Sequence, residues 1–423
     1  MQSFDYTCSI PVTQNAEVIV IGGGPGGLGA AVMAARTGAD VLLIERFGFL
    51  GGMAAAGEIH PFMGNHVDGE PLDKPVYTEW QDKMMSYRAE GSQHKMWVSK
   101  DLAMLAAEDL CLEAGVRLLY HHNLVDTIMD GDKITAVILH SKSGLTAATA
   151  KVFVDCTGDA DLAARAGCSF EMGGPSGYCQ PMTLCFKLTH VDPDRMPPHQ
   201  EINRLYDEAK AEGIIDCPRE NVLLFRWFDK DTIHFNTTRV IRHDGTSGES
   251  LSDAEIIARR QVREYLKFLR SRVAGFENAE IFSIAHHIGI RETRRIIGQA
   301  YITRDAFINR EKFPDAIARV RYPIDIHNPD GKGTELVHMP ENEWYEIPYG
   351  CIVAKDCSNL LVGGRPISGD HALHSSFRVM PPAVSIGQAA GIGAAMSVQE
   401  NCQPSQLDGV KVREKLISYG ARL

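Results

Sequence analysis

Residues 17–27 read Glu17-Val-Ile-Val-Ile-Gly22-Gly-Gly24-Pro25-Gly26-Gly27, and residues 39–46 read Ala39-Asp-Val-Leu-Leu-Ile-Glu45-Arg46. A β-branched apolar run ends at Gly22, a small-residue helical stretch runs from about Gly26 to Thr37, and a second apolar run, Val41 to Ile44, closes on an acid. Strand, Gly-x-Gly-x-x-Gly turn, helix, strand and acidic residue in this order form a βαβ cradle for a dinucleotide. Gly22 turns the chain off the strand, Gly24 has no Cβ to keep a pyrophosphate from the backbone, and Gly27 lets helix and strand pack closely. The helix then points its free N–H groups at the phosphates. Glu45 is placed to accept from ribose hydroxyls.

The rest of the composition sets bounds. The chain has 423 residues, enough for two or three domains and a large core. Its net charge of −11 and lack of a dense Lys/Arg block argue against a nucleic-acid surface, so a small-molecule ligand is expected. The start, Met1-Gln-Ser-Phe-Asp-Tyr-Thr-Cys8, lacks the basic and apolar parts of a secretion signal. Ten cysteines without repeated spacing suit reduced thiols, and the expected location is the cytoplasm. The apolar stretch Pro382 to Val398 contains Gly387-x-x-x-Gly391, but it is short, rich in Gly and Ala, and carries Ser385 and Gln388. A buried helix is expected there rather than a membrane span.

Along the chain, Thr78 to Arg88 and Ser99 to Ala114 read as helices, and Val116 to Tyr120, Leu124 to Met129, Ile134 to His140 and Ala148 to Val154 as strands. The last runs into a turn at Thr157-Gly158-Asp159. From about Gly173 the character changes: strand-like Met182 to Leu188 and Phe225 to Val240 and a charged helix from Asp253 to Val273 suggest a sheet with helices on one side. Asn359-Leu-Leu-Val-Gly-Gly364-Arg365 then reads as a buried strand ending in glycines, and Pro382 opens the small-residue helix. The expected class is α/β. Residues 1–172 and 346–423 would form one Rossmann-like domain, a parallel sheet with helices and a small antiparallel sheet, interrupted by an α+β substrate domain over 173–345.

With these pieces in order, the sequence resembles the FAD-dependent oxidoreductase family that shares the two-domain flavoprotein fold of glutathione reductase and p-hydroxybenzoate hydroxylase. The pieces are the Gly22 to Gly27 fingerprint with Glu45-Arg46, Phe49-Leu-Gly51-Gly52-Met53, Val154-Asp-Cys-Thr157-Gly158-Asp159, Ile288-Gly-Ile-Arg291-Glu-Thr-Arg294-Arg295, and Asn359 to Arg365 through Arg378-Val-Met-Pro to Gly387-Gln388-Ala389-Ala390-Gly391. The resemblance implies FAD. It sets Gly22, Gly24, Pro25, Gly26, Gly27, Glu45 and Arg46 at the adenosine end, with Val125 and Thr157-Gly158-Asp159 flanking the adenine side. Gly51, Gly52 and Met53 would lie along pyrophosphate and flavin, and Gly364-Arg365 by the ribityl chain. The helix opening near Pro382 and carrying Gly387, Gln388, Ala389 and Ala390 would aim its positive end at the flavin, where reduction gathers negative charge.

No cysteine pair follows the first βαβ unit, which counts against disulfide reduction, and a second dinucleotide fingerprint is lacking: Gly173-Gly-Pro-Ser-Gly177 follows no convincing strand. The expectation is an oxidoreductase that moves a hydride between flavin and a small polar substrate such as a hydroxy acid, polyol or sugar-like molecule, with a separate electron acceptor or donor. An aromatic hydroxylase of similar fold and a flavoprotein redox subunit are the alternatives. Ser368 to Arg378 is rich in titratable groups, so His371 and His374 are candidate bases and Arg378 a candidate holder of a carboxylate or oxyanion. Arg291 is the candidate substrate contact in Ile288–Arg295, where another arginine is expected to pair with Glu292. Tyr322-Pro-Ile-Asp325-Ile-His327 either lines the same cavity or is an ordinary turn. The adjacent pairs His121-His122 and His286-His287 diverge on a strand and lack metal-binding context, so no metal site is expected. Direction of the reaction, covalent or free flavin, and self-association are left open.

Overall fold

The computed structural model describes residues 3–5, 7–89 and 99–423. The opening unit is β1 (Val12–Ile21), α1 (Pro25–Arg36) and β2 (Val41–Ile44). Helices α2 (Val76–Ser86) and α3 (Lys100–Glu113) follow, then β3 (Arg117–Leu119), β4 (Asn123–Asp130), β5 (Lys133–Ser141) and β6 (Gly144–Asp155). The middle of the chain holds β7 (Phe186–Thr189), α4 (His199–Ala211), β8 (Leu224–Arg226), β9 (Ile233–Phe235), α5 (Gly248–Arg272) and β10 (Glu280–Ile284). It closes with β11 (Leu360–Val362), α6 (His371–Phe377) and α7 (Met380–Glu400), ahead of a terminal helix Gly409–Ser418.

The main sheet runs β3-β2-β1-β6-β5-β4, with β11 beside the end of β6. The pairs β1/β2, β1/β6, β2/β3 and β6/β11 are parallel, Val18 lying level with Val41 on one side and Val152 on the other. The β4-β5-β6 edge is antiparallel. Val18 to Ile21, Leu42, Leu43 and Phe153 are all but fully buried, which explains their unbroken apolar runs: a strand covered on both faces has no solvent side to alternate toward. The fold is a mixed α/β one built on a parallel-rich sheet.

α7 packs on α1 through small residues. A Cβ on Gly387 would fall well inside contact distance of the Gly26 carbonyl oxygen, and one on Gly391 would do the same at Ala30. Glycine there lets two backbones touch, so both helices can lie tightly against the sheet. α7 begins at Met380, two residues earlier than the sequence suggests, with Pro381 in the first turn where its missing N–H costs nothing. The stretch Ser368 to Arg378, singled out for its titratable groups, contains α6, capped by Asp370, whose Oδ1 accepts from the Leu373 N–H at 2.6 Å.

A second, antiparallel sheet runs β8-β9-β7-β10. It shares its own apolar core with α4 and α5, where Phe186 stacks on Phe235 and Tyr206 on Tyr265. This core draws on residues between Met182 and Ile290, while Ile296, Ile317 to Val320, Ile324 and Tyr345 belong to the first. The two cores meet where His287 N–H donates to the Ala56 carbonyl and where Lys187 reaches Glu58. No described helix is long and apolar enough to cross a membrane.

Candidate active site

The glycine turn opens into a groove walled by Gly22, Gly24, Pro25, Gly26, Glu45, Arg46, Gly52, Met53, Thr157, Gly158, Asp159, Gly364 and Arg365, with Met380 and Ala383 from the start of α7. Its floor is backbone. Gly22 has φ +99°, and a Cβ on Gly24 would meet only the Gly52 Cα, at 3.6 Å. Gly26 and Gly364 lie so close that a Cβ on Gly26 would stand 2.9 Å from the Gly364 nitrogen. A phosphate can therefore approach main-chain N–H groups and the α1 N-terminus. Glu45 is buried: Oε2 accepts from Gly23 N–H at 2.6 Å and Oε1 from Phe47 N–H at 2.8 Å. Burial raises its pKa, against the pull of those hydrogen bonds. Each oxygen keeps a lone pair for a ribose hydroxyl.

The second wall is built by the turn after β6. Asp155, fully buried, accepts at Oδ1 from Thr157 N–H and hydroxyl at 3.0 and 2.8 Å and at Oδ2 from Ala163 N–H at 2.9 Å. Burial lifts it to about 6. Asp159 Oδ1 accepts from Arg365 Nη2 at 2.5 Å and from the Thr293 hydroxyl at 2.7 Å. Arg365 Nε is buried with no partner among the described residues, leaving one donor for a ligand in the groove. An all-backbone floor, a buried acid past the second strand and a spare guanidinium donor fit an FAD, whose holders would be Gly22 to Gly27, Glu45, Gly52, Thr157 to Asp159 and Gly364-Arg365.

Not every residue expected at the cofactor reaches the groove. Gly51 (φ +103°) lies behind it, where its N–H donates to Gly23 O. Val125 sits in β4, off the lining. Gly27 packs against the Gly22 carbonyl, as its helix-packing role requires. Pro382, Gly387, Gln388, Ala389 and Ala390 are buried in α7 away from the groove. Gln388 instead accepts from Val76 N–H at 2.8 Å and donates to Lys74 O at 3.2 Å, tying α7 to α2. Its place at the groove is taken by the first turn of the same helix, Met380 and Ala383.

A cavity of about 400 Å³ joins the groove, sharing Met53, Ile290, Arg365, Arg378 and Met380 with it. Arg291 and Arg378, both expected at the substrate, line it, as do Tyr322, Asp325 and His327 of the polar segment. Arg291 Nη1 donates to Pro181 O at 2.6 Å and to the Thr183 hydroxyl at 2.5 Å. Burial and the nearby Arg378 and Arg219 charges press its pKa down. It stays protonated all the same, because a guanidinium holds its proton far above neutrality. Burial works to raise Asp325, but His327, Arg378 and Arg291 outweigh it and hold the carboxyl below its usual range. His327 Nδ1 accepts from Arg239 Nη2 at 2.9 Å, which leaves the proton on Nε2, 3.6 Å from Asp325 Oδ2. Burial, then the Arg291 charge, pushes its pKa down to about 3, so the ring is neutral.

His371 and His374 do not line this cavity. His371 Nδ1 faces Glu292 at 2.8 Å and borders a different hollow with Gly174 and Asp370. His374 is fully buried on α6 against Phe377, its pKa well below 6.5 through burial first and then the surrounding arginines. α6 explains both: a helix turns these side chains away from the cavity where a loop could have aimed them in. Glu292 pairs with Arg295, as expected of one arginine in this segment, while Arg294 holds Asp161 at 2.9 Å. Arg219 and His60 also line the cavity, and neither stood out in the sequence. His286 and His287 flank the Phe47–Phe49 stack, and no described group of three or more His, Cys, Asp or Glu is arranged to hold a metal.

No curated protein matches the chain. Solved structures similar to it include a geranylgeranyl bacteriochlorophyll reductase-like protein from Thermoplasma acidophilum, 14% identical, covering 96% of this chain and 83% of that one at a TM-score of 0.48. A flavin-dependent brominase is 13% identical with 96% and 83% covered at 0.49. The p-nitrophenol 4-monooxygenase of Pseudomonas putida DLL-E4 is 10% identical with 97% and 87% covered at 0.48. Over residues 17–416 the chain matches the family described as FAD dependent oxidoreductase, and with that match and this groove it belongs to that family, an oxidoreductase with FAD as its cofactor.

Proposed function

We propose that this enzyme transfers a hydride between flavin and a small polar organic substrate carrying an anionic group, a hydroxy acid rather than a neutral polyol, with a separate electron acceptor. The observation that carries this reading is the charge of the cavity. Arg365 is matched by Asp159 and Glu220 by Arg239, so Asp325 alone faces Arg219, Arg291 and Arg378. Two positive charges are left over on the cavity wall, and Arg219 Nη1 and Arg378 Nε are buried donors without a partner among the described residues. Unpaired buried charge is costly unless something pairs it, and a carboxylate fits a guanidinium fork.

When bound, FAD supplies the two-electron chemistry. The chain's own residues do the rest. Arg291 and Arg378 grip and orient the anionic end. Asp325, kept ionised, accepts from the Tyr322 hydroxyl at 3.3 Å and sets the position of Arg378, and the neutral His327 presents Nε2–H to it. Met53, Ile59, Ile290 and Met380 keep water from the side toward the groove. The first turn of α7 places its positive end there, favouring negative charge where groove and cavity meet.

Anaerobic mixing of oxidised enzyme with a panel of hydroxy acids, polyols and sugars tests this. The flavin band should bleach with one or more hydroxy acids. Bleaching by NADPH alone, stimulated by an aromatic compound, would contradict it.

A further inference from the structure

His60 is the least satisfied polar side chain on the cavity wall. It is 1% exposed, yet neither ring nitrogen has a partner among the described residues. Its neighbours are rings that offer no hydrogen bond to it: Phe62 at 5.9 Å, Trp227 at 5.6 Å and His234 at 5.8 Å between centroids. The stretch of wall around it is otherwise apolar, with Ile59, Pro61, Met63, Leu223 and Phe225. Burial keeps the imidazole neutral, helped by the charge of Lys187, whose ammonium lies 4.5 Å over the Trp227 ring. Its ring neighbours Phe62, Trp227 and His234 are a different set from the partners of Arg291, Pro181 and Thr183, and of Arg378, Asp325, so His60 marks a separate part of the cavity.

A neutral imidazole carries one donor and one acceptor, and leaving both unmet in an apolar setting is unfavourable. A hydroxyl can pair with either nitrogen, accepting from the N–H or donating to the bare one, whichever the tautomer presents to the cavity. We propose that His60 reads a hydroxyl on the substrate, so that the cavity selects an anion whose chain carries a hydroxyl at the end away from the guanidiniums. This rests on the anionic-substrate reading and narrows it: the carboxylate binds at the arginines, the carbon chain lies along Ile59, Met63 and Phe225, and the hydroxyl meets His60.

Calorimetric titration of the FAD-loaded protein tests it, using a graded series of ω-hydroxycarboxylates and their unsubstituted counterparts. At the best-fitting length the hydroxyl should tighten binding about tenfold, the net worth of one well-made hydrogen bond. His60→Leu should abolish that difference while binding the unsubstituted carboxylate as before, with flavin content as the check on folding. A hydroxyl gain that survives His60→Leu, or that is absent from the wild type at every length, overturns the inference. The wild-type comparison decides even if His60→Leu does not fold. Carboxylates that bind without regard to the hydroxyl refute only the role of His60. A wild type that binds none of them refutes the anionic-substrate reading as well.

Discussion

Arg378 and Asp325 meet at the cavity wall: Nη2 of the arginine stands 3.6 Å from Oδ2 of the aspartate and donates to the Asp325 carbonyl oxygen at 3.2 Å. This tie holds the guanidinium in place from one side and leaves its Nε without a partner among the described residues. Arg378→Ala should therefore weaken substrate binding by about 10- to 100-fold, the worth of a hydrogen bond to a charged group. Arg291→Lys should lose most of the same affinity, since an ammonium cannot reproduce a planar fork. Titrating flavin bleaching against substrate concentration reads both, and an unchanged midpoint in either variant would remove that residue from the site.

The seam between α1 and α7 is equally exposed to test. Gly387→Ala pushes a methyl group into the Gly26 carbonyl, next to the glycines that hold the cofactor. Overpacking of this kind costs about 1–3 kcal/mol, and here it should also lower the flavin content. A thermal melt and the flavin-to-protein absorbance ratio check it. Full stability with full flavin would mean that the seam is looser than its backbone contacts indicate.

Glu58 is fully buried beneath the second sheet, with Lys187 on one oxygen and Lys100 at 3.1 Å from the other. Burial raises its pKa, but the two ammonium groups outweigh that and lower it. Lys187→Met leaves the carboxylate short of a partner in the interior and should cost about 3–5 kcal/mol, with Glu58→Gln added to it recovering part of the loss. Denaturant midpoints of the single and double variants measure the difference. A double variant no better than the single would show that Glu58 does not depend on Lys187.

Acid should destabilise the fold before the surface carboxylates titrate. His234 and His327 are pushed down to about 3, and His60 and His374 lie well below 6.5, in each case chiefly through burial. Groups with a depressed native pKa contribute stability above their unfolded pKa and lose it as pH falls toward the native one. Asp73 and Asp155, raised by burial to about 7 and about 6, act in the opposite sense. His66 and His287 are lowered and Glu45 raised as well, so the depressed rings outnumber the raised carboxyls and unfolding takes up protons as the pH falls toward 5. Denaturant midpoints between pH 7 and 5 should fall accordingly, and His234→Gln should flatten the slope. A midpoint that does not move over that range would contradict the neutral, buried state of these rings.

The cofactor half was legible in the sequence because its demands are local. Gly22 and Gly26 must be glycine for backbone reasons and Gly24 leaves the floor open, Val18 to Ile21 of β1 and all of β2 must be apolar on both faces, and Glu45 must close the unit. The substrate half depends on long-range assembly. Arg291 and Arg378 could be picked out because each lies in a run rich in titratable groups, but Arg219 and His60 reach the cavity only because the second sheet is laid against the first. His371 and His374 misled because a titratable stretch between two buried elements looks like an active-site loop. Asp370, an N-cap residue ahead of His-Ala-Leu-His-Ser-Ser-Phe, was the available sign that this stretch is a helix.

The most direct test compares one substrate with and without its charge. Oxidised enzyme is mixed anaerobically with the hydroxy acid that bleaches it best and, separately, with the primary amide of the same acid, and the flavin band is followed. The acid should bleach the band at concentrations where the amide does not, and Arg378→Ala should narrow the gap. Equal bleaching by acid and amide in the wild type would contradict a cavity built around a substrate anion.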